Sequence, residues 1–213
     1  MPSDTVDLAA LLCSRLCHDM LSPVGALSNG IELLRDERDP EMRHRCMELL
    51  EQSARISADK LKFFRLAYGA AGGFGDTVPT QEPRDLVQGL VGDNGRIVLQ
   101  WAVAEPELAK PAVKVLLNLA AIGIDALPRG GQLDIGAERR DGATEIAVRA
   151  AGQKIAFDRS IGQALEGSLP LEELSGRTAP AHMIRLIAEE AGGGVQYALG
   201  DDSLVMGAVL PDA

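Results

Sequence analysis

The amino-acid sequence predicts an α+β fold made of two parts, a helical hairpin followed by an α/β sandwich. In residues 1–75 the apolar side chains recur at helical spacing, whereas residues 76–213 alternate between strand-like and helix-like runs. The stretch "GAAGGFG", from Gly69 to Gly75, separates the two patterns and is typical of a flexible linker. We therefore expect two domains, residues 1–75 and residues 76–213.

Composition excludes several classes of function. The 213 residues carry a net charge of −10, which argues against nucleic acid as a main partner. No apolar run approaches the ~20 residues of a transmembrane helix, so we expect no membrane insertion. The three cysteines form no disulfide framework and the first residues are polar and acidic, so we expect a cytoplasmic protein.

The first part of the chain predicts two long helices. The first helix spans about residues 7–35, and its apolar positions form one seam at helical spacing: Leu8, Leu12, Leu16, Met20, Val24, Leu27, Ile31 and Leu34. Asp39 followed by Pro40 is a favourable start for a second helix, which runs to about Tyr68. The short connection makes the two helices antiparallel neighbours. Because two helices alone bury little surface, we expect a second copy to complete a four-helix bundle in a homodimer.

The second part predicts a mixed sheet with helices on one face. Strand-like runs occur at Ile97–Val103, Gln132–Ala137, Thr144–Arg149, Val195–Leu199 and Leu204–Val209. Helical stretches lie between them, at about Pro83–Val91, Lys110–Ala126 and Thr178–Ala191. This order is typical of an α/β sandwich in which one layer of helices covers one layer of strands.

The candidate functional residue of the hairpin is His18. It lies two positions after Leu16, so its ring points away from the apolar seam. Small or polar residues share its face of the helix: Ser14, Ser22, Gly25 and Asn29. We expect a partner to dock on this part of the helix, through Ser14, Arg15, Leu21, Ser22 and Gly25.

Two neighbouring residues, Asp19 and Pro23, favour a chemical role for His18 over that of an ordinary surface residue. Asp19 follows at once, and its carboxylate is expected to hold one imidazole nitrogen protonated while the other stays free as a nucleophile. Pro23 has no N–H, so the backbone carbonyl of Asp19 loses its helical partner. The helix is therefore expected to bend or loosen beside His18.

The stretch "HDMLSP" resembles the phospho-acceptor box of histidine-kinase dimerisation helices, with matches at His18, Asp19 and Pro23. In the second part, "VLLNLAAIGIDALPRGGQLDI" resembles the asparagine box of histidine-kinase ATP domains. Asn118 fills its first asparagine position, but Ile122 replaces the second and cannot ligate a metal.

Two further boxes of the nucleotide site are also broken. In "IAVRAAGQKIAFD" Gly152 remains, whereas Ala150 replaces the aspartate that would read adenine and Lys154 replaces a glycine. Residues 178–181 stand where the last glycine box would be, and they contain no glycine. We therefore expect the kinase-like fold to persist without binding ATP.

As a whole the chain resembles the ChpT-type histidine phosphotransferases. The resemblance implies a homodimer that acts as a phosphotransferase in bacterial cell-cycle signalling, with His18 as phospho-acceptor and no autokinase activity. It implies phosphoryl relay from the receiver of a CckA-like hybrid kinase to CtrA-like and CpdR-like regulators. No cofactor is expected in this chain, because the receiver brings its own Mg²⁺. The degenerate domain would then serve as a docking wall and a clamp on the bundle.

Several alternatives stay open. The chain could be an active histidine kinase, or a non-catalytic adaptor that binds receivers and in which His18 is incidental. A zinc site at Cys13, Cys17 and His18 is a further alternative. A structural zinc ion needs four ligands, and the sequence offers no second cluster of ligands to complete the set. A serine hydrolase built on Ser14 or Ser22 lacks a nucleophile elbow. We expect His44 to be an exposed helix residue and His182 to serve local packing or capping. Near the end of the second helix we expect a solvated face, with a role in meeting an acidic receiver left open, made of Lys60, Lys62 and Arg65.

Overall fold

The computed structural model describes residues 2–69, 75–92 and 95–212, with no account of the side chains of residues 2–4. Most of the predicted linker, residues 70–74, lies outside the described residues. Besides a short 3-10 helix at Leu171–Glu173, six α-helices occur in the described chain: α1 Pro2–Asp36, α2 Pro40–Ala67, α3 Gln81–Val91, α4 Lys110–Asp125, α5 Arg159–Glu166 and α6 Ala179–Glu190. Seven strands accompany them: β1 Thr77–Pro79, β2 Ile97–Val103, β3 Glu107–Ala109, β4 Gly131–Arg140, β5 Ala143–Ala151, β6 Gly194–Leu199 and β7 Ser203–Pro211.

The predicted α+β fold is confirmed, with a helical hairpin followed by a sheet-containing part. The turn of the hairpin follows the sequence signal at Asp39, whose carboxylate accepts hydrogen bonds from the backbone N–H groups of Glu41 (2.8 Å) and Met42 (3.1 Å). Pro40 occupies the first turn of α2, where its missing N–H costs nothing. α1 and α2 pack closely along their length, and Gly30 leaves room for the side chain of Leu50.

The main sheet has five strands in the order β2-β4-β5-β7-β6. β2 and β4 are parallel and the other neighbours are antiparallel, so the sheet is mixed as predicted. Burial alternates along the strands, and the residues facing the helices include Leu133, Val148 and Met206, each fully buried. β1 and β3 form a separate antiparallel pair, which the sequence analysis missed because each strand has three residues.

The core of the sandwich continues into one end of the hairpin. Phe63, Phe64 and Ala67 of α2 are buried in the same apolar cluster as α4 and the sheet. On α1 the predicted seam packs against this core only through Met20. Beyond it, Leu27 and Leu34 stay half-buried, whereas Val24 is 48% exposed and Ile31 is 57% exposed. The reason is geometric: the sandwich covers one end of the hairpin, and a repeat of seven residues drifts around a straight helix.

Within the ranges that the structure describes, no helix combines the length and the apolar character needed to cross a bilayer.

Gly130 and Gly142 allow a test of how the parallel strand β4 is positioned. Both have positive φ, 82° and 76°, and a Cβ at Gly130 would overlap the backbone carbonyl of Arg96 just before β2, whereas a Cβ at Gly142 would meet open space. Gly142→Ala should cost about 1 kcal/mol of unfolding free energy from backbone strain alone. Gly130→Ala should cost about 3 kcal/mol or more, because the carbonyl must also move.

Urea unfolding at one protomer concentration measures both changes. Equal losses for the two variants would contradict this account of the β2–β4 junction.

Candidate functional site

His18 lies on an open face of α1. Its side chain is 83% exposed, and Leu21 beside it is 71% exposed. Ser14 and Ser22 are also exposed, and within the described ranges no atom outside the adjoining stretch of α1 lies within 4 Å of where a Cβ on Gly25 would be. A large partner can therefore approach the imidazole directly. The docking role of these residues stays a prediction.

The imidazole faces one acidic neighbour. Its Nδ1 atom lies 3.2 Å from Oδ1 of Asp19. Since the ionised carboxylate only accepts hydrogen bonds, this geometry favours the tautomer in which Nδ1 carries the proton. Nε2 then keeps its lone pair and faces outward, which is the arrangement a nitrogen nucleophile needs.

The second oxygen of Asp19 is held by Arg15, one helical turn earlier. Nε of Arg15 donates to Oδ2 of Asp19 at 2.7 Å, and the two side chains are only 25% and 19% exposed. Arg15 also reaches across to α4, where Nη2 donates to Oδ2 of Asp125 at 3.2 Å. Burial lowers the pKa of Arg15, but the two carboxylates outweigh it and leave that pKa above its ordinary value. The sequence predicts Arg15 on the docking face, but its guanidinium is engaged by Asp19 and Asp125, contacts for which the sequence carries no local signal.

The backbone of Asp19 has its own partner. Pro23 is buried inside α1 and supplies no N–H, and Nζ of Lys60 on α2 donates to the Asp19 carbonyl at 3.0 Å. The helix continues past the proline to Asp36 as one element. The expectation that Lys60 lies on a solvated face is therefore wrong, because it closes the gap that the proline leaves in the hydrogen bonds of the neighbouring helix. Lys62 and Arg65 are exposed.

Tyr68 closes the buried side of this cluster. Its ring stacks on Phe64, with ring centroids 5.5 Å apart. Burial raises the pKa of Tyr68 to about 12, against a smaller lowering by the positive charge of Arg15. The phenol is therefore neutral at physiological pH and adds no charge next to Arg15 and Asp19.

The other sequence candidates do not join the site. Cys13 and Cys17 are exposed free thiols, and the described residues contain no group of three or more His, Cys, Asp or Glu side chains suited to a metal ion. His44 is exposed and lies 3.4 Å from a carboxylate oxygen of Glu48. His182 is buried in α6, where burial first and Arg185 second lower its pKa. These positions agree with surface and packing roles.

Several positions that resemble nucleotide-site boxes in the sequence are buried. Asn118 is 1% exposed, and its amide Nδ2 turns back to donate to the carbonyl of Lys114 at 2.8 Å. Ile122, Thr178 and His182 are buried as well, and α4 packs directly against α6. By contrast, Gly152 is half-buried and Lys154 is exposed.

The segment before α6 touches the hairpin close to His18. A Cβ added to Gly176 would lie 3.4 Å from the backbone N of Arg15 and 3.4 Å from the carbonyl oxygen of Leu11. Together with the contact between Arg15 and Asp125, this packing joins the sandwich to α1 within one helical turn of His18.

Comparison with known families identifies this architecture. The family model described as "Histidine phosphotransferase C-terminal domain" matches residues 80–203, more than half of the chain. The chain belongs to the histidine phosphotransferase family. The resemblance noted in the sequence is thereby confirmed.

Two relatives of this family match over nearly the whole chain. The protein phosphotransferase ChpT of Brucella abortus (strain 2308) is 36% identical over 187 residues, which is 88% of each chain. A solved bacterial phosphotransferase is 33% identical, covers 95% of this chain and 96% of its own, and superposes with a TM-score of 0.82. The histidine phosphotransferase assignment therefore includes the hairpin as well as the sandwich.

The contact between Lys60 and Asp19 can be tested with a double-mutant cycle. Lys60→Met leaves a half-buried carbonyl without its donor and should cost about 1 kcal/mol of unfolding free energy. In a Pro23→Ala background the new N–H can bond the same carbonyl, so Lys60→Met should cost less than half as much. Urea unfolding of the four proteins at one concentration gives the coupling.

Lys62→Met is the matched control, because Lys62 is exposed and lies 3.5 Å from Asp59. Its effect should stay within about 0.5 kcal/mol in both backgrounds. An equal loss for Lys60→Met in both backgrounds would show that Lys60 does not substitute for the missing N–H.

Proposed function

We propose that this histidine phosphotransferase relays a phosphoryl group between the aspartates of two receiver domains through a phosphohistidine at His18. The observation that carries the proposal is the exposed imidazole whose Nδ1 faces Asp19 and whose Nε2 is open to a partner. The family assignment supports the chemistry, and the open face around His18 supports access by a folded domain.

The transfer needs little from this chain beyond position. Nε2 of His18 attacks the phosphorus of an aspartyl phosphate, the bond between phosphorus and the carboxyl oxygen breaks, and the free carboxylate leaves. A Mg²⁺ ion on the receiver, not on this chain, neutralises charge on the phosphoryl oxygens. The ring becomes positively charged as the N–P bond forms, and the Asp19 carboxylate next to Nδ1–H stabilises that charge. A second receiver reverses the steps.

The same proposal excludes ATP as a substrate of this chain. Asn118 is turned into its own helix, Ile122 stands at the second asparagine position, and Thr178 is buried at the start of the last box. These features favour a relay protein over an active histidine kinase. The sandwich then acts as a wall beside His18 and a clamp on the hairpin.

Partners follow from the same assignment. We propose a CckA-like hybrid kinase receiver as donor and CtrA-like and CpdR-like receivers as acceptors in a cytoplasmic cell-cycle phosphorelay. The similarity to a phosphotransferase of the ChpT type supports this choice. The non-catalytic adaptor remains the second candidate, and it differs in requiring no phosphohistidine.

We further propose that the hairpin forms a homodimer. Val24 and Ile31 lie one heptad apart on α1, and both are close to half exposed in the single chain. α2 carries a similar stripe, also at heptad spacing: Met42, Leu49 and Ile56. A second hairpin would cover these apolar side chains in a four-helix bundle.

The relay is tested by supplying phosphoryl groups from a receiver. A receiver carrying a radiolabelled aspartyl phosphate should label the wild-type chain, and the label should be stable to base and lost in acid. His18→Ala should remove all label, whereas His44→Ala should keep it, because His44 is an exposed histidine beside a carboxylate at another place.

Two outcomes would contradict the proposal. Label on the His18→Ala chain would move the phospho-acceptor elsewhere, and label from ATP alone would make the chain a kinase. No label from either donor would favour the adaptor.

The dimer is tested by one charge on the apolar stripe. Ile31→Glu should convert a dimer into a monomer in light scattering coupled to gel filtration, because it places a carboxylate in the bundle. Leu199→Glu is the matched control, since Leu199 is 53% exposed on β6 and should leave the mass unchanged. A monomeric wild-type chain, or a dimer that survives Ile31→Glu, would contradict this interface.

A further inference from the structure

A continuous set of polar contacts connects the sandwich to the exposed histidine. Nδ1 of His18 faces one oxygen of Asp19, Nε of Arg15 donates to the other, and Nη2 of Arg15 donates to Asp125 at the end of α4. In the described part of the chain, the polar contacts of Arg15 are with Asp19 and Asp125, and the His18 ring contacts Asp19. The connection from Arg15 to the ring therefore runs through Asp19.

The contacts do more for orientation than for stability. Asp125 is 63% exposed, and ion pairs at such positions add little to the free energy of folding. The Asp19 carboxylate, by contrast, is 19% exposed and has one oxygen on each of two partners. The planar guanidinium fixes the plane of that carboxylate, which a single flexible donor would not do.

The far end of the set is rigid because α4 is the central helix of the core. Its residues on the buried face include Val113, Leu116 and Leu119, each with no exposed surface. Asp125 is the last residue of this helix, so its carboxylate starts from a backbone that packing holds in place. Arg15 therefore spans from a rigid element of the sandwich to the residue beside the phospho-acceptor.

We propose that Arg15 and Asp125 are positioning residues that hold the Asp19 carboxylate against Nδ1 of His18, so that the sandwich sets the tautomer of the histidine. The predicted effect on transfer rate rests on the proposed relay. The predicted tautomer of the His18 ring does not depend on it. It gives the nucleotide-free domain a direct part in phosphoryl transfer, beyond docking a receiver.

The kinetic test compares single-turnover transfer from a phosphorylated receiver at several receiver concentrations. Arg15→Gln should lower the maximal rate about tenfold and change the half-saturating receiver concentration less than twofold, because it disturbs orientation and not docking. Arg15→Lys should recover part of the rate, since it can restore one of the two contacts. Asp125→Asn should lower the rate about threefold, and should add nothing further in the Arg15→Gln background.

Arg149 and Asp134 provide the matched control. They form a similar arginine–aspartate pair, 3.0 Å apart, on the strands β5 and β4. Arg149→Gln and Asp134→Asn should leave both kinetic constants unchanged. A change confined to the half-saturating concentration in Arg15→Gln would mean that Arg15 contacts the receiver, and would overturn the positioning role.

An NMR measurement separates this inference from the relay itself. The chain has three histidines, so the ring nitrogens of His18 can be assigned by comparison with His18→Ala. At about pH 8.5, where imidazole rings are neutral, ¹⁵N shifts should show Nδ1 protonated in the wild type. In Arg15→Gln the ring should become a mixture of tautomers.

The two failures are thus distinguishable. A wild-type chain that accepts no phosphoryl group would remove the proposed relay, while the tautomer would still decide the role of Arg15. An Nδ1-protonated ring that persists unchanged in Arg15→Gln and Asp125→Asn would overturn the inference even if transfer is intact.

Discussion

Asp19 is hydrogen-bonded from three sides, and the exposed histidine next to it depends on those contacts. Its carboxylate lies between His18 and Arg15, and its backbone carbonyl accepts from Lys60 on the second helix. The carboxylate can keep the proton on Nδ1 only if it is held in place. If it rotated freely, both neutral tautomers of the imidazole would be populated. The hairpin, the proline and the sandwich all contribute to holding this one residue.

The proline is the feature that makes the second helix part of the site. A regular helix would satisfy the Asp19 carbonyl internally, and the hydrogen bond from Lys60 would then be a dispensable second one. With Pro23 at this position, α2 must supply the donor, so the two helices of the hairpin are tied together beside His18. In the sequence, the proline of "HDMLSP" marks the position of this missing helical hydrogen bond.

The sandwich uses some residues that resemble nucleotide-site boxes for packing. Asn118 and Ile122 are buried, with Asn118 bonded to its own helix. The helix that would present them, α4, keeps its place in the core and ends at Asp125, which reaches Arg15. Fold does not by itself fix function, and the residues at the site are what favour a relay.

Local chemistry could be predicted from the sequence, and contacts between distant elements could not. The cap at Asp39, the five strands of the main sheet and the outward direction of His18 all follow from spacing or from a residue's own conformational preference. The pairing of Arg15 with Asp125 joins residues 110 positions apart, so no local pattern carries it. The strands β1 and β3 do not stand out in the sequence because three residues are too few to show an alternating pattern.

The apolar stripe on the hairpin was predicted as a pattern, but the single chain leaves it exposed. Spacing correctly predicts that Val24 and Ile31 are apolar neighbours, but the single chain covers only the end of the hairpin that meets the sandwich. Which partner buries the rest is information that a single sequence does not hold. The division of the chain at residue 75 likewise stays a prediction, because the apolar core runs across it.

The central claim is that this chain passes phosphoryl groups on and does not merely accept them. The most direct measurement is to isolate the chain labelled on His18, free of its donor, and mix it with an unphosphorylated second receiver and Mg²⁺. The account predicts that the label moves to the receiver's aspartate at the rate at which it leaves the chain. Label that appears as inorganic phosphate, or that stays on His18 while the receiver is bound, would contradict it.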